Sequence, residues 1–448
     1  MAQLLQQLAD VRPQNPDWLH SLNEAGAAVV RNAIWPTRKT EQWKYTSLRA
    51  LEQADYFAAR GRAPESLAGL AGRCTIDQLD AHTIVFVNGV YSAALSKLQA
   101  LEKDVDLLSF GDANAQQSIA IRQWLGSVVE SEQHLFAAIN NQLLDSGVFL
   151  RVGKNVQLTK PVQVVWLTTG GETSFHVPQR LLVVMEPNAS ATVVEQFIST
   201  DEPQTCFTHG VTEVRLEDGA RCAHYRLHLE APGALHAGGV YAALGANSHF
   251  NSFHLGLGGV LKRIDVVINH NGSGANCVLN GVYLPRENQQ IDYHTCIEHR
   301  VPHCTTQEVF RGIVADSAKA VFNGRIHIHP NAQKTLAQLS NKNLLLSDKA
   351  EVDTKPELEI YADDVQCAHG ATVARLDANA LHYFRTRGVS QREAEVMLSF
   401  GFINELIDKL SLPALTDYLR PVLTEWFAQD PSLVRHLLDM SGQEPYGE

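Results

Sequence analysis

Several things are missing from this chain, and each absence removes a class of function. No stretch of its 448 residues approaches the run of about 18 apolar residues that a membrane-spanning helix needs. Basic charge is in deficit: 37 Lys and Arg stand against 49 Asp and Glu, a net charge of −12, whereas a nucleic-acid surface needs clustered cations. The seven cysteines are an odd number without C-x-x-C or other paired spacing, so they offer no disulfide framework and suit free thiols in a reducing compartment. There is no G-x-x-x-x-G-K-S/T phosphate loop, so the chain is not expected to hydrolyse ATP. The opening residues MAQLLQQLADVRPQNPDWL lack the basic start and apolar core of a signal peptide. The expectation is a cytoplasmic protein that binds neither nucleic acid nor membrane.

What is present changes character twice along the chain. With 45% hydrophobic residues, this length can supply cores for about three domains. From Met1 to about Ala71 apolar residues fall at helical spacing, as in Leu4, Leu5, Leu8 and Trp18, Leu19, Leu22, with Pro13, Pro16 and Pro36 as breaks. Thr83 to Ser92 reads as a hairpin turning at Asn88-Gly89, and Gln133 to Leu144 as helix. From Val148 to about Asp377 two-residue alternation dominates, as in Ile264, Val266, Ile268 and in Ile326, Ile328, and Asn-Gly pairs at 271, 280 and 323 read as turns between strands. So many short strands suggest a sandwich, a barrel or a β-solenoid. Ser390 and Glu393 then form a capping box that starts a helix at Gln391, with Leu398, Phe402, Ile403, Leu406 and Leu410 as an apolar stripe. The divisions are a helical region 1–80, a mixed α/β connection 81–147, a β core 148–377 and a helical region 378–448.

The stretch VQCAHGATVARLD, Val365 to Asp377, carries the chemistry. Cys367 and His369 are two residues apart in a strand, so they leave the same face with Cα atoms roughly 6.6 Å apart and can lean onto one metal. Zinc and iron-sulfur clusters want about four protein ligands, so this pair is an incomplete site whose other ligands come from elsewhere in the fold or from another chain. His294, Cys296, His299, His303 and Cys304, and the pair His327 and His329, could form a further metal site. They match no known local motif, and the expectation is that they lie on the outer, solvated face of a coil. Cys74, Cys206, Cys222 and Cys277 are expected to pack in the core. The alternatives are a β-helix enzyme acting on polysaccharide, a metal-dependent hydrolase using the His/Cys cluster from Asp292 to Cys304, and a purely structural homodimer.

The Cys367 segment and the following ALHYFRTRGVS resemble the SufD family, the non-ATPase scaffold of the SUF iron-sulfur cluster assembly system. The resemblance extends to NKNLLLSDKAEVDTKPELEIYADD, VFNGRIHIHPNAQKT and WPTRKTEQWKYTSL, and covers most of the chain. The paralogous SufB family has His-Glu where this chain has His369-Gly370, and a Cys within the stretch matching Ser340 to Leu346, where this chain has none. The resemblance implies a right-handed parallel β-helix core flanked by N-terminal and C-terminal α-helical domains, and a scaffold rather than an enzyme. It implies SufB as partner through the β-helix and the SufC ATPase as partner through the C-terminal helices, with Met397, Leu398, Phe402 and Leu406 as contacts. A transient iron-sulfur cluster or iron would be held by Cys367 and His369 together with SufB, with reduced flavin a further candidate ligand of the complex. The isolated chain is expected to form a homodimer and to hold no metal tightly.

Overall fold

The computed structural model describes residues 4–5, 8, 11, 13, 15–59, 69–170, 173–200 and 205–427. Its core is a β-solenoid built from two sheets that face each other across one lumen. The first sheet runs β4 (Val105–Ser109), β5 (Val148–Val152), β7 (Phe175–Met185), β9 (Cys206–Leu216), β11 (Leu235–Leu244), β13 (Leu261–His270), β15 (Gln290–His299), β17 (Lys319–Ile328) and β19 (Glu351–Ile360), with β1 (Phe57–Ala58) beside β7. The second runs β3 (Val90–Tyr91), β2 (His82–Val87), β6 (Val162–Thr168), β8 (Ser190–Ser199), β10 (Arg221–Leu229), β12 (His249–Leu257), β14 (Asn276–Leu284), β16 (Thr305–Val314), β18 (Leu336–Leu345) and β20 (Gln366–Ala374). Pairing is antiparallel only at β2–β3 and β4–β5 and parallel elsewhere. Leu235 pairs with Leu261 and Val148 with Leu181, so a coil takes 26 to 33 residues.

In-register stacking turns each inward position into a column running the length of the solenoid. At the corner from the first sheet to the second, Asn155, Asn188, Gly219, Asn247, Gly274, His303 and Lys334 all have positive φ, a conformation that glycine and asparagine tolerate best. From Asn188 onward the next residue points inward and is small: Ala189, Ala220, Ser248, Ala275, Cys304 and Thr335 are all buried, while Val156 after Asn155 is half-buried.

Helical regions cover the outer faces. On the first sheet the helix Leu135–Leu143 is fastened by a buried ion pair, Arg180 to Glu213 at 2.5 Å, with Arg180 also donating to the side chains of Asn140 and Asn141 at 2.8 and 2.9 Å. Glu213 accepts from the backbone N–H of Gly126 and Val128, so neither charge is left unsatisfied. Trp43 and Thr46 dock on the same sheet: the Arg263 guanidinium lies 4.3 Å over the Trp43 ring, and Thr46 donates to Asp292. The helix Gln391–Ile407 begins with the expected capping box of Ser390 and Glu393, and Val396, Ile403, Leu406 and Ile407 pack on Leu227, Leu255, Val282 and Ile313 of the second sheet. Among the described residues no helix is long and apolar enough to cross a membrane.

Two expectations need correction. Asn88-Gly89 turns the β2–β3 hairpin with φ of 48° and 81°, and Asn271-Gly272 lies between strands, but Asn280-Gly281 and Asn323-Gly324 sit inside β14 and β17. There the glycine serves packing rather than a turn: a Cβ on Gly281 would lie 2.1 Å from the Phe310 ring, and one on Gly324 would lie 2.5 Å from Leu339. The His/Cys cluster also does not share one solvated face. His294 and Cys296 point outward, whereas His299 takes an inward position of the same strand with Tyr293 and Ile297, and Cys304 is buried just past the corner at His303.

Gly281→Ala should therefore lower stability by about 1–3 kcal/mol through overpacking against Phe310. Thermal and denaturant unfolding would read this as a lower midpoint, and an unchanged midpoint would show that the lumen has room to yield.

Candidate functional site

The solenoid ends at β19 and β20, and their far edges pair with no other strand among the described residues. Cys367 and His369 stand on this last strand. Their register partners on β18 are Ala337 and Leu339, both buried in the core, so the pair occupies inward-facing positions that a further coil would cover. With no further coil, Cys367 is half-buried against the core and His369 is exposed. Ile360, Tyr361 and Val373 at the same end remain 42%, 59% and 45% exposed, an apolar rim around the open cross-section. Burial pushes the Cys367 thiol up, partly offset by a backbone hydrogen bond from Ala337, so it needs a cation to become a thiolate at neutral pH. Gly370, beside His369, has nothing within 4 Å of where a Cβ would be.

No third His, Cys, Asp or Glu gathers with this pair into a ligand cluster among the described residues, although three such clusters occur elsewhere. His228, Glu230 and His236 meet in the lumen, where the Lys262 ammonium sits 2.5 Å from Glu230 and takes the place a metal would fill. Glu298, His327 and His329 meet on the outer face of the first sheet. Glu298 accepts from His329 at 2.7 Å and from Arg325 at 3.2 Å and lies 2.9 Å from the His327 Nδ1, which Arg325 also approaches at 3.3 Å, a closed polar group. The third comprises His270, His299 and Cys304, buried at the corner of the lumen.

Of the residues expected to contact the ATPase, Leu406 is buried in the interface between helix and sheet and has no surface to offer in this fold. Met397, Leu398 and Phe402 are half-buried, and Phe402 lies beneath the Arg311 guanidinium at 5.5 Å. Cys74, Cys206, Cys222 and Cys277 are buried.

Sequence reasoning missed the polar lumen. Arg226 donates to Glu195 at 2.6 Å and to Thr212 and the Gly210 carbonyl, all inside the solenoid. Burial alone would raise the Glu195 carboxyl, but Arg226, with His224 and Thr212, outweighs it and holds the pKa at about 2. Glu308 is the opposite case. Its two oxygens have no hydrogen-bond partner of normal geometry among the described residues, and burial, only partly offset by the Thr295 hydroxyl, pushes its pKa up to about 7. The one signal available was the i, i+2 run Cys222, His224, Arg226, His228, a polar face that a reader would place toward solvent.

Fold and open end define the class: a β-solenoid scaffold whose terminal thiol and imidazole lie at an unpaired sheet edge. Comparison with known proteins makes the class specific. A family model for the SufBD protein N-terminal region matches residues 4–164, and one for the SufBD core domain of SUF-system FeS cluster assembly matches residues 167–402. The chain is 33% identical over 378 residues to the iron-sulfur cluster assembly protein SufD of Escherichia coli, covering 84% of this chain and 85% of that one. It is 29% identical over 426 residues to SufD of Bacillus subtilis, covering 92% and 94%, and 29% identical over 425 residues to a SufBD family protein of Synechocystis, covering 93% of each. The chain therefore belongs to the SufBD family of the SUF system, and within it to the SufD scaffold subunits, which are not catalysts.

The raised thiol gives a pH test. Thiolate is the reactive form, so alkylation of Cys367 should be slow at neutral pH and still rising where an ordinary exposed cysteine, with a pKa near 8.5, has levelled off. Peptide mapping of labelled protein against pH measures it; a rate that levels off at the same pH as the ordinary cysteine, or below it, would show that the thiol is not held up by burial.

Proposed function

We propose that this chain supplies half of a cluster-assembly site, with His369 as the principal ligand and Cys367 as a second ligand or sulfur relay. The observation that carries this reading is the open terminal coil, which presents both residues beside unpaired strand edges. A SufB subunit docking on those edges would bring the remaining ligands for a nascent iron-sulfur cluster or its iron. In that complex a metal ion would lower the Cys367 thiol and bind it as thiolate, as metal–thiolate bonding requires. His369 needs no such help, since neutral imidazole is already a ligand.

Energy would come from SufC, the ABC-type ATPase, bound at the C-terminal helices through Met397, Leu398 and Phe402. Leu406 would act by holding the helix Gln391–Ile407 on the sheet. Closure of two SufC subunits would shift the two β-solenoids against each other and open or compress the shared site. Reduced flavin, as an electron source, would bind the assembled complex rather than this chain alone. An isolated chain would cover the same edge with a second copy of itself, as unpartnered edges do. The setting is the cytoplasm.

His369→Ala should abolish cluster assembly in cells while leaving fold and complex intact, because truncating an exposed residue on an end strand costs under about 0.5 kcal/mol. Complementation of a SUF-dependent strain, read beside co-purification of partners, tests this. Full activity of the variant would remove His369 from the site, and loss of soluble protein would make its role structural.

A second test addresses the helices. Met397→Asp with Leu398→Asp puts two charges on a half-buried surface without touching the buried Ile403 and Leu406. Retention of SufC in pull-down should fall at least tenfold while SufB is retained. Wild-type retention would move the ATPase contact elsewhere on the chain.

A further inference from the structure

The solenoid carries its own internal control, because each inward position recurs coil after coil. The column through the last inward position of the first sheet reads Met185, Leu216, Leu244, His270, His299, Ile328. It is apolar except at two adjacent coils. The neighbouring corner column runs from Val156 to Val365 through Ala189, Ala220, Ser248, Ala275, Cys304 and Thr335, with Cys304 its one thiol. A third column, Ala191, Cys222, Phe250, Cys277, Thr306, Ala337, Cys367, has its one hydroxyl at Thr306. Two imidazoles, a thiol and a hydroxyl thus meet at one corner, the imidazoles being the departures from apolar or small packing.

The local geometry is that of an assembled ligand set. The two imidazoles stack with centroids 4.3 Å apart and planes 13° apart, and one ring nitrogen of each lies within 4.8 Å of the other and of the Cys304 sulfur. The Nε2 atom of each shares the Thr306 hydroxyl at 3.0 Å. That leaves both Nδ1 atoms buried without a hydrogen-bond partner among the described residues. A hydroxyl has two lone pairs, so Thr306 can accept from both Nε2–H groups, and each buried Nδ1 then carries a lone pair with no donor. A metal bound through both Nδ1 atoms would fill those lone pairs while Thr306 keeps accepting from both Nε2–H groups, the outer hydrogen bond typical of metal-bound histidine. Burial pushes the Cys304 thiol up, and its S–H donates to the Gly272 and Pro302 carbonyls at 3.4 and 3.6 Å; the backbone N–H groups of Ala275 and Gly274, which face the sulfur, partly offset this. No lysine or arginine is among the charges acting on either imidazole, in contrast to Lys262 at the His228 cluster.

We propose that His270, His299 and Cys304 bind one thiophilic d10 metal ion, Zn2+ or Cu+, inside the lumen. The sulfur loses its proton to solvent as the S–metal bond forms, and both imidazoles bind neutral, so one proton is released per ion. With Cu+ the thiolate alone makes the site neutral. With Zn2+ a second negative charge is needed; Glu308, inward on the strand that carries Thr306, is not among the charges acting on either imidazole, and would have to turn toward the site to supply it. The site lies in the lumen that opens at Cys367, which stands two rungs above Thr306 in one column, about 10 Å at the usual strand spacing. It is separate from the proposed Cys367–His369 site, and it departs from the expectation that the isolated chain holds no metal.

The test uses the full, tag-free chain stripped with a chelator. Co2+ should bind at one equivalent with a thiolate-to-cobalt charge-transfer band that Zn2+ abolishes, and Cu+ should be taken up at one equivalent from a chromogenic chelator. Cys304→Ser should lose the band and at least tenfold in affinity, with circular dichroism verifying the fold. Glu308→Gln should weaken Zn2+ about tenfold and leave Cu+ unchanged if Cu+ is the physiological fit. Cys367→Ser with His369→Ala should leave the band untouched, which separates this site from the assembly site. Absence of a charge-transfer band and of Cu+ uptake in the wild-type chain, or a band that survives Cys304→Ser, would overturn the proposal.

Discussion

Stacking in register is the constraint from which the rest of this molecule follows. Each inward side chain is covered by the same position of the next coil, so a column must be filled with residues whose shapes succeed one another at about 4.8 Å. Gly281 leaves room for the Phe310 ring, and Gly238 lies under the Gly210 carbonyl, 2.0 Å from where a Cβ would be. Coverage stops at β20. Whatever stands there in a column position is denied its cover, which is why a thiol and an imidazole that would be core residues one coil earlier are half-buried and exposed at the end.

Covered faces on both sides of the sheets explain the polar lumen. The C-terminal helices take the apolar face of β10, Tyr225 and Leu227, which leaves His224, Arg226 and His228 to point inward. A buried charge survives only if paired, and Glu195 with Arg226 and Glu230 with Lys262 satisfy that requirement. Their influence on stability depends on pH in opposite senses from that of Glu308. Glu195, depressed to about 2 against an unfolded value near 4.3, contributes stability above that value and loses it as pH falls toward 2. Glu308, raised to about 7, binds a proton that the unfolded chain has released, so stability declines as pH rises from about 4.3 to 7.

How much of this was legible depended on whether the signal was local. The capping box at Ser390 and the hairpin at Asn88-Gly89 are set by residues within four positions of each other, and the structure has both. The β core was legible from alternation because every coil repeats it. Which face points inward was not, since alternation gives a period and no sign when both faces are buried; β10 is the example. The Asn-Gly pairs at 280 and 323 misled for a related reason, their glycines answering to side chains a coil away. For Cys367 and His369 the spacing gave the shared face correctly, while their place on the final coil depends on the count of coils.

The two edges of the last coil are not equivalent, and this bears on what can dock there. β19 carries Lys355, Glu357 and Glu359 with Pro356 among them, the charges and missing N–H that natural sheets use to discourage pairing at an edge. β20, from Gln366 to Ala374, has no Asp, Glu, Lys, Arg or Pro. One edge of the open end is guarded and the other is bare, and the bare one bears Cys367 and His369. A strand added along β20 would gain main-chain hydrogen bonds and cover Val373 without meeting a charge, whereas one added along β19 would meet five charged side chains, Glu351 and Asp353 included. The proposed docking therefore has a direction: a partner registers on β20, the thiol and imidazole lie inside the new pair of strands, and β19 is left to the outer rim.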